Sequence, residues 1–403
     1  MDKVISSSHD APADFDIVIS GGAMTGLMLA TVLDYAFGQA LSIAVVEAKP
    51  YTSSAHPGFD ARSIALSFGS VQQLKKYGIW DDDLEQHATL IKHIHVSDQG
   101  HFGMTSINRR DIGVEALGYV VELEKVGRLL QKKVEKSTTL TLLCPNEIQQ
   151  VTQKKQSIHL NVNNRTLSCK LLVAADGSFS SIADKLNIEL KKREFSQVAI
   201  ITNVKFEHHH NGRAFERFTK TGPLALLPMT DGRMSLVWCL EPNEAKHIMS
   251  LEADQVMKKL QTSFGWRLGR IKMIGSLFSY PLTQYHRSGI TAHRCAIIGN
   301  AAQTLHPIAG QGFNLGLRDV LQLVESLSLH LDDVGKYAVL SDYERHRQRD
   351  RDSMMTLTSS LVDLFSNDWL AMRIGRNLGL LCVDNIPNLK QPLITKALGL
   401  VNK

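Results

Sequence analysis

The sequence predicts an α/β fold in which a parallel-sheet domain is interrupted by an antiparallel sheet and followed by a C-terminal helical region. Three separate segments, residues 15–48, 171–180 and 295–320, each contain an apolar strand-like run that leads into a glycine-containing turn. From about 196 to 240, strand-like runs follow one another, with a credible turn at 230–233. We therefore expect a Rossmann-type nucleotide-binding domain, assembled from separate parts and interleaved with an antiparallel β-sheet substrate domain.

The first turn has the composition of a nucleotide-binding loop. Strand-like residues 15–19 lead into Gly21, Gly22 and Gly26, after which a buried helix begins. A dinucleotide fold uses three glycines here, so that the chain turns, admits a pyrophosphate and packs helix on strand. Ala23 occupies the place of the second glycine and adds a methyl group where the phosphate should approach, so the match is imperfect.

An acidic residue follows at the spacing that nucleotide binding requires. A second strand-like run, residues 42–46, ends at Glu47, about 20 residues beyond the glycines. A carboxylate at this place binds ribose hydroxyls and disfavours a 2′-phosphate. Strand, turn, helix, strand and acid together favour nucleotide binding over a glycine turn that holds no ligand.

A further segment predicts another contact in the same domain. Residues 171–175 read as a buried strand that leads into Asp176 and Gly177. Taken alone, an Asp-Gly pair indicates a hairpin or a helix-entry turn. Because this pair lies between two other nucleotide-binding motifs, we favour a role in binding.

The most informative run, residues 299–319, follows an apolar strand and continues into a helical pattern. Gly310, Gly312 and Gly316 allow the backbone to turn tightly and to approach a flat ligand without Cβ atoms in the way. Amides at the start of the helix, near Gln311, would point at any negative charge on that ligand.

This run resembles the second flavin-binding motif of the ubiquinone-biosynthesis hydroxylase family, a group of FAD-dependent class A aromatic monooxygenases. The family pattern is His-Pro-x-Ala/Gly-Gly-Gln-Gly-x-Asn-x-Gly-x-x-Asp, and each specified position is filled from His306 to Asp319. The resemblance covers essentially the whole chain and implies the para-hydroxybenzoate-hydroxylase fold with FAD as cofactor. The predicted cofactor-binding residues are Gly21, Gly22, Gly26, Glu47, Arg62, Asp176, Gly177, Gly299, Asn300, Gly310, Gln311, Gly312 and Asn314.

Single positions refine the resemblance. Arg62 lies in a segment that resembles a family motif whose arginine contacts the cofactor. Asn300 stands where most flavin hydroxylases carry aspartate, and its carbonyl can still accept a hydrogen bond, without a charge. Ala183 stands where the family usually carries arginine. The branch that hydroxylates 2-polyprenyl-6-methoxyphenol resembles this chain most, as judged from residues 55–60, 212–219 and 235–239.

The resemblance implies a reaction. NAD(P)H, bound only transiently, reduces FAD; O₂ adds at flavin C4a; and the hydroperoxide hydroxylates a polyprenylated methoxyphenol ring. His306 and Pro307 are predicted to line the flavin, and no general base is assigned. The implied partners are this phenol, O₂ and other ubiquinone-biosynthesis proteins. The alternatives are a related hydroxylase of different regiochemistry and a non-catalytic flavin-fold subunit of the biosynthetic complex.

The motifs divide the chain into alternating parts. A disordered leader is expected at the start, and residues 344–352 of the C-terminal region read as a solvated helix face. The predicted parts are the leader at 1–14, the FAD-binding domain at 15–75, 105–183 and 276–335, the substrate domain at 76–104 and 184–275, and the helical region at 336–403.

Composition narrows the function further. With 403 residues, 43% of them hydrophobic, the chain can bury the cores of two or three domains. The net charge of +5 is small and dispersed, which argues against nucleic acid as a partner. The five cysteines occur singly and indicate a reducing compartment, so we predict a cytoplasmic location. The histidines at 208–210 read as a loop, and no metal site is predicted.

The C-terminal stretch suggests a further location. Residues 369–403 carry five basic residues and one acidic residue among several leucines. A basic amphipathic segment binds anionic membrane surfaces, so peripheral contact with the cytoplasmic face of the inner membrane is a hypothesis. Packing of this segment on the body of the protein or on a partner is an equal alternative.

Overall fold

The computed structural model describes residues 12–50, 62–306, 310–365, 395, 398 and 399. The strands are β1 Phe15–Ser20, β2 Ile43–Val46, β3 Ser63–Ser67, β4 Thr89–Ile91, β5 His93–Asp98, β6 Met104–Asn108, β7 Gly118–Glu122, β8 Leu140–Leu143, β9 Ile148–Gln153, β10 Ile158–Val162, β11 Arg165–Ala174, β12 Leu190–Phe206, β13 Arg213–Thr219, β14 Gly222–Pro228, β15 Arg233–Leu240, β16 Ile271–Ile274, β17 Phe278–Arg287, β18 Thr291–Ala292, β19 Cys295–Ile297 and β20 Gln303–Thr304. The helices are α1 Met24–Phe37, α2 Phe68–Lys76, α3 Asp82–Gln86, α4 Arg109–Ile112, α5 Leu123–Lys136, α6 Ser181–Lys185, α7 Pro242–Met249, α8 Ala253–Phe264, α9 Gln311–Ser328 and α10 Tyr337–Phe365.

The first sheet is the predicted nucleotide-binding sheet. Its order is β18-β19-β11-β1-β2-β8, with β10 and β9 added beside β11. The pairs β19–β11, β11–β1, β1–β2 and β2–β8 are parallel. Each residue of β2 is buried and apolar, as expected for a parallel strand covered on both faces. The interrupted domain predicted from three distant segments is therefore confirmed.

Helices cover this sheet. All residues from Gly26 to Leu33 of α1 are buried, because α1 packs against the sheet and also against α5 and α9. Helix α5 instead carries a single apolar stripe, with Val126, Leu130 and Val134 buried, as is typical of a helix with one face in solvent.

The second sheet is the predicted antiparallel substrate domain. Its order is β20-β17-β12-β15-β14-β13-β5-β6, with β16 also paired to β12. One face packs against α7 and α8 through side chains such as Phe215, Trp238 and Phe264. The predicted turn after β14 is present and places Asp231 in the left-handed region, with φ of 59°. A small sheet of order β3-β7-β4 completes the fold.

Three predicted boundaries are corrected. Strand β17 was assigned to the FAD-binding domain, yet it pairs with β12 over most of its length, because β12 is long enough to pair with it and with β15. Strand β6 pairs with β5, so this part of the substrate sheet extends beyond residue 104. Within the expected leader, Asp14 accepts hydrogen bonds from the backbone N and Oγ of Ser168 at 2.7 and 2.8 Å. Residues 1–11 lie outside the described part.

Candidate cofactor site

The three sequence motifs meet at the carboxyl edge of the first sheet. Gly21 donates its N–H to the carbonyl of Val46 at 2.8 Å, and Ala175 donates to Ser20 at the same distance. A Cβ on Gly21 would lie 2.5 Å from the carbonyl oxygen of Ala175, and one on Gly26 would lie 1.8 Å from that of Gly21. These two glycines are therefore required by the close packing of loop, strand and helix.

Glu47 stands beside the first glycine turn. Its carboxylate accepts hydrogen bonds from the N–H of Gly22 at 2.6 Å and from that of Lys49 at 2.9 Å. A Cβ on Gly22 would lie 2.8 Å from the Cβ of Glu47. The acid predicted to bind ribose is thus held in place at the end of β2, and its contact with ribose stays a prediction.

The helices that start at this edge have uncapped N-termini. No side chain in the described part of the chain caps α1 or α9, and neither helix has an acidic residue in its first turn. By contrast, Ser67 caps α2 and Ser180 caps α6. The positive end of each helix dipole suits an anionic group, and the predicted groups are a pyrophosphate at α1 and a reduced flavin ring at α9.

Gly312 provides the sharpest test of whether FAD fits. Glycine inside a helix costs roughly 0.5–1 kcal/mol relative to alanine. Within the described residues, no heavy atom lies within 4 Å of a Cβ built on Gly312, so packing against that part of the chain does not require glycine there. A flat ligand approaching the first turn of α9 does require it. Gly310, which precedes the helix, has φ of 59°, a conformation that favours glycine.

The loop before α9 depends on one buried carboxylate. Asp319 is fully buried and accepts hydrogen bonds from the N–H of Gly299 at 2.9 Å and from Gln303 Nε2 at 2.7 Å. Its other oxygen accepts from Arg347 Nε at 2.7 Å. Asp319 therefore fixes the loop that carries Asn300, whose own side chain is exposed at the site edge.

Arginines of α10 complete this network. Arg347 also pairs with Asp350, which binds Arg318 of α9 at 2.9 Å. Burial alone would lower the pKa of Arg347, but Asp319 and Asp350 raise it above its usual range. Arg351 donates to the carbonyl of Ala302 at 3.4 Å. The prediction that residues 344–352 form a solvated face is therefore wrong for two arginines, which turn inward to satisfy Asp319 and the loop carbonyls.

Other predicted residues have structural contacts. Asn314 is buried, and its amide accepts from Ser67 N and Ser70 Oγ and donates to the carbonyls of Ala65 and Gly310. These four bonds use the full hydrogen-bonding capacity of the side chain, so a contact of this side chain with the cofactor stays a prediction. Gln311 Oε1 accepts from Arg318 at 3.4 Å.

Asp176 occupies a helix-entry turn. Its carboxylate accepts from Ser180 Oγ at 2.5 Å and from Ile182 N at 3.3 Å, which fixes the start of α6. Gly177 has φ of 88°. The structure therefore shows the helix-entry turn that an Asp-Gly pair indicates by itself. A contact of Asp176 or Gly177 with the nucleotide stays a prediction.

His306 joins the cofactor loop to the substrate sheet. Its Nε2 lies 3.2 Å from Gln197 Oε1 on β12, and its ring packs edge-on against Phe195 at 5.0 Å between centroids. Burial lowers the pKa of His306 to about 4, so the ring is neutral at physiological pH. Its Nδ1 is buried without a hydrogen-bond partner among the described residues.

The predicted cofactor contacts of Arg62 and Pro307 stay predictions. Arg62 precedes β3 with an exposed side chain, and its carbonyl accepts from Leu123 N at 2.8 Å. Pro307, predicted to line the flavin, lies outside the described residues. Sequence reasoning assigned no role to Gln197 or Arg347, because both act across long separations in the chain.

Comparison with known proteins agrees with this site. Residues 14–358 match the FAD binding domain family. The p-nitrophenol 4-monooxygenase PnpA from Pseudomonas putida DLL-E4 has a similar fold, with a TM-score of 0.77 at 17% identity over 95% of this chain and 98% of that one. The chain is an FAD-dependent monooxygenase by class.

Sequence relatives define the family within this class. Ubiquinone hydroxylase UbiL of Rhodospirillum rubrum is 31% identical over 98% of this chain and 91% of its own length. The 3-demethoxyubiquinol 3-hydroxylase of Escherichia coli K12 is 28% identical over 96% of this chain and 98% of its own. The chain belongs to the ubiquinone-biosynthesis hydroxylases. None of the helices in the described ranges is long and apolar enough to cross a membrane.

Substituting Arg347→Met should destabilise the protein strongly, because it leaves Asp319 buried without its cation. We expect a loss of about 3–5 kcal/mol in the free energy of unfolding, together with weaker FAD retention, measured by urea denaturation and flavin fluorescence. The matched control is Arg345→Met on the same helix, where an exposed arginine pairs with Asp342, and the loss should stay below about 1 kcal/mol. Equal losses in the two variants would contradict the proposed network.

Substituting Gly312→Ala should separate folding from cofactor binding. We expect unfolding free energy unchanged or raised by up to about 1 kcal/mol, with FAD affinity at least about tenfold weaker because a methyl group obstructs the ligand. Titration of apoprotein with FAD measures the affinity, and Gly289→Ala, where the nearest heavy atom lies at 3.7 Å, is the control. Unchanged FAD affinity in the Gly312 variant would show that the ring binds elsewhere.

Proposed function

We propose that this monooxygenase hydroxylates the ring of a polyprenylated methoxyphenol in ubiquinone biosynthesis, using NAD(P)H and O₂. The observation that carries the proposal is the cofactor loop seated against the antiparallel sheet, with His306 on the loop bonded to Gln197 on β12. FAD, when bound, supplies the chemistry that activates O₂ and transfers one oxygen atom. The protein supplies binding, orientation and exclusion of water.

The face of the sheet beside the loop suits an aromatic ring with an apolar substituent. Ala199, Cys239 and Leu282 are buried there, with Ile201 and Val237 packed against them. An apolar, water-poor surface protects reactive oxygen chemistry from hydrolysis. The neutral His306 adds no charge that would compete for a phenolate. The amides that begin α9 would stabilise negative charge on a flavin ring bound there.

The ring position remains part of the proposal. The sequence resembles the branch acting on 2-polyprenyl-6-methoxyphenol, whereas one relative is named for hydroxylation of demethoxyubiquinol at carbon 3. A hydroxylase of different regiochemistry shares the same cofactor site. We also propose that the phenol reaches the enzyme from other proteins of the pathway.

A purified sample supplied with FAD tests the function. We expect a visible flavin spectrum that is bleached by NADH or NADPH and restored by air. With 2-methoxy-6-prenylphenol present, mass spectrometry should find one added oxygen derived from ¹⁸O₂, and fragmentation locates it. A folded protein that never binds FAD would instead support the non-catalytic subunit. Oxygen at an unexpected carbon would support the alternative regiochemistry.

We propose a cytoplasmic enzyme with peripheral contact at the inner membrane, because a long prenyl tail resides in lipid. The basic segment 369–403 that suggests this contact lies outside the described residues apart from 395, 398 and 399. Deleting it should reduce co-sedimentation with anionic liposomes several-fold, since each basic residue near such a surface contributes about 1 kcal/mol. Neutral liposomes are the control, and unchanged binding to anionic liposomes would refute the role of this segment.

A further inference from the structure

Glu216 is a carboxylate in the middle of the substrate sheet. It lies on β13, opposite Ala225 of β14 and Val96 of β5. Its neighbour Phe215 packs edge-on against Phe264 of α8. Because successive strand residues point to opposite faces, Glu216 points to the face away from α8.

That face is the one in contact with the cofactor loop. Gln197, which bonds His306, lies on it, and a Cβ on Gly222 would lie 2.8 Å from Gln197 Nε2 and 2.9 Å from Cys239 Cβ. Burial raises the pKa of the Cys239 thiol, and the negative charge of Glu216 raises that pKa further. Glu216 therefore lies on the same face of the sheet as Gln197 and Cys239, with β15 and β14 between its own strand and β12.

The environment of Glu216 does not stabilise a charge. Its Oε1 is buried and accepts no hydrogen bond from the described residues, although part of the residue remains accessible. Burial raises the pKa of Glu216 to about 7. A carboxylate left in this state reduces stability, and such residues occur mainly at functional sites.

The surrounding elements add little charge. Val96 and Ala225 flank Glu216 on the neighbouring strands, and Val237 of β15 lies beyond Ala225 in the same register. Asp98, two residues along β5 on the same face, is paired with His101 at 3.1 Å. On α10, Arg351 donates to the carbonyl of Arg287 at the end of β17, whereas residues 353–360 that follow it carry no charged side chain. A bound phenol is the group that would complete the hydrogen bonding of Glu216.

We propose that Glu216 is the general base of the reaction, and that it accepts the proton of the substrate's phenolic hydroxyl. The phenol O–H bond breaks, its electron pair stays on the ring oxygen, and an O–H bond forms on the carboxylate. The resulting phenolate is electron-rich at its ortho and para carbons, where an electrophilic oxygen is received. The inference rests on the proposed function in taking a phenol as the bound ring.

The pH dependence of Glu216→Gln tests this role in the FAD-loaded enzyme with 2-methoxy-6-prenylphenol. For the wild type, kcat/KM should rise through a midpoint near pH 7, where Glu216 ionises. For the variant, we expect kcat/KM at pH 7 to fall about 100-fold or more. The deficit should shrink towards pH 10, because the phenol then ionises without a base. A deficit independent of pH, or an unchanged midpoint, would overturn the proposal.

Glu244→Gln on the exposed surface of α7 is the matched control and should retain wild-type kinetics.

The thermal stability of Glu216→Gln supplies a second readout. The pKa of Glu216 is higher in the folded protein than in the unfolded chain. Its contribution to stability is therefore fully present below the ordinary pKa of a glutamate and is lost as the pH rises to about 7. Above pH 7, Glu216→Gln should therefore unfold at a higher temperature than the wild type. A lower unfolding temperature would indicate a structural role instead.

A binding measurement separates this inference from the proposed function. Wild-type holoenzyme should bind 2-methoxy-6-prenylphenol about tenfold more tightly than its O-methyl ether, since only the phenol donates a hydrogen bond. Glu216→Leu, which has no hydrogen-bond acceptor, should lose most of this preference, read from the flavin absorbance. If the wild type forms no hydroxylated product, the proposed function fails, yet this comparison still decides the role of Glu216. A preference that persists in the variant would overturn it.

Discussion

The buried carboxylate of Asp319 is the constraint on which the cofactor site depends. It holds the N–H of Gly299 and the amide of Gln303, and it is neutralised by Arg347 from α10. A buried carboxylate without its cation would cost several kcal/mol, so the loop, α9 and α10 must assemble together. This arrangement connects α10 to the nucleotide-binding sheet and fixes α9, whose N-terminus has no side-chain cap among the described residues.

A second constraint acts between the two sheets. His306 extends from the cofactor loop to Gln197 on β12, so the loop that positions a flavin also contacts the face that receives a substrate. The same face carries Glu216, whose carboxylate oxygen Oε1 has no hydrogen-bond partner among the described residues. The carboxylate of Glu216 lowers the stability of the protein, while the rest of the sheet is well packed. This combination is expected where binding or proton transfer takes place.

Local patterns in the sequence predicted most of the fold. The glycine turns and the strands from β12 to β15 depend on neighbouring residues, and the family motif predicted the cofactor. The sheet joined by β17 could not be predicted, because strand pairing depends on residues far apart in the chain. For the same reason the charged residues of α10 read as solvated, although Arg347 is buried against Asp319. Asn314 belongs to the motif, yet only the structure shows that its amide is fully hydrogen-bonded within the protein.

The most direct test is a crystal structure of the protein with FAD and 2-methoxy-6-prenylphenol. We predict the flavin ring over the first turn of α9 at Gly312, with Gly299 still bonded to Asp319. We also predict the phenol oxygen within hydrogen-bond distance of Glu216. A flavin ring bound away from Gly312, or a phenol whose hydroxyl points away from the substrate sheet, would contradict this view of the site.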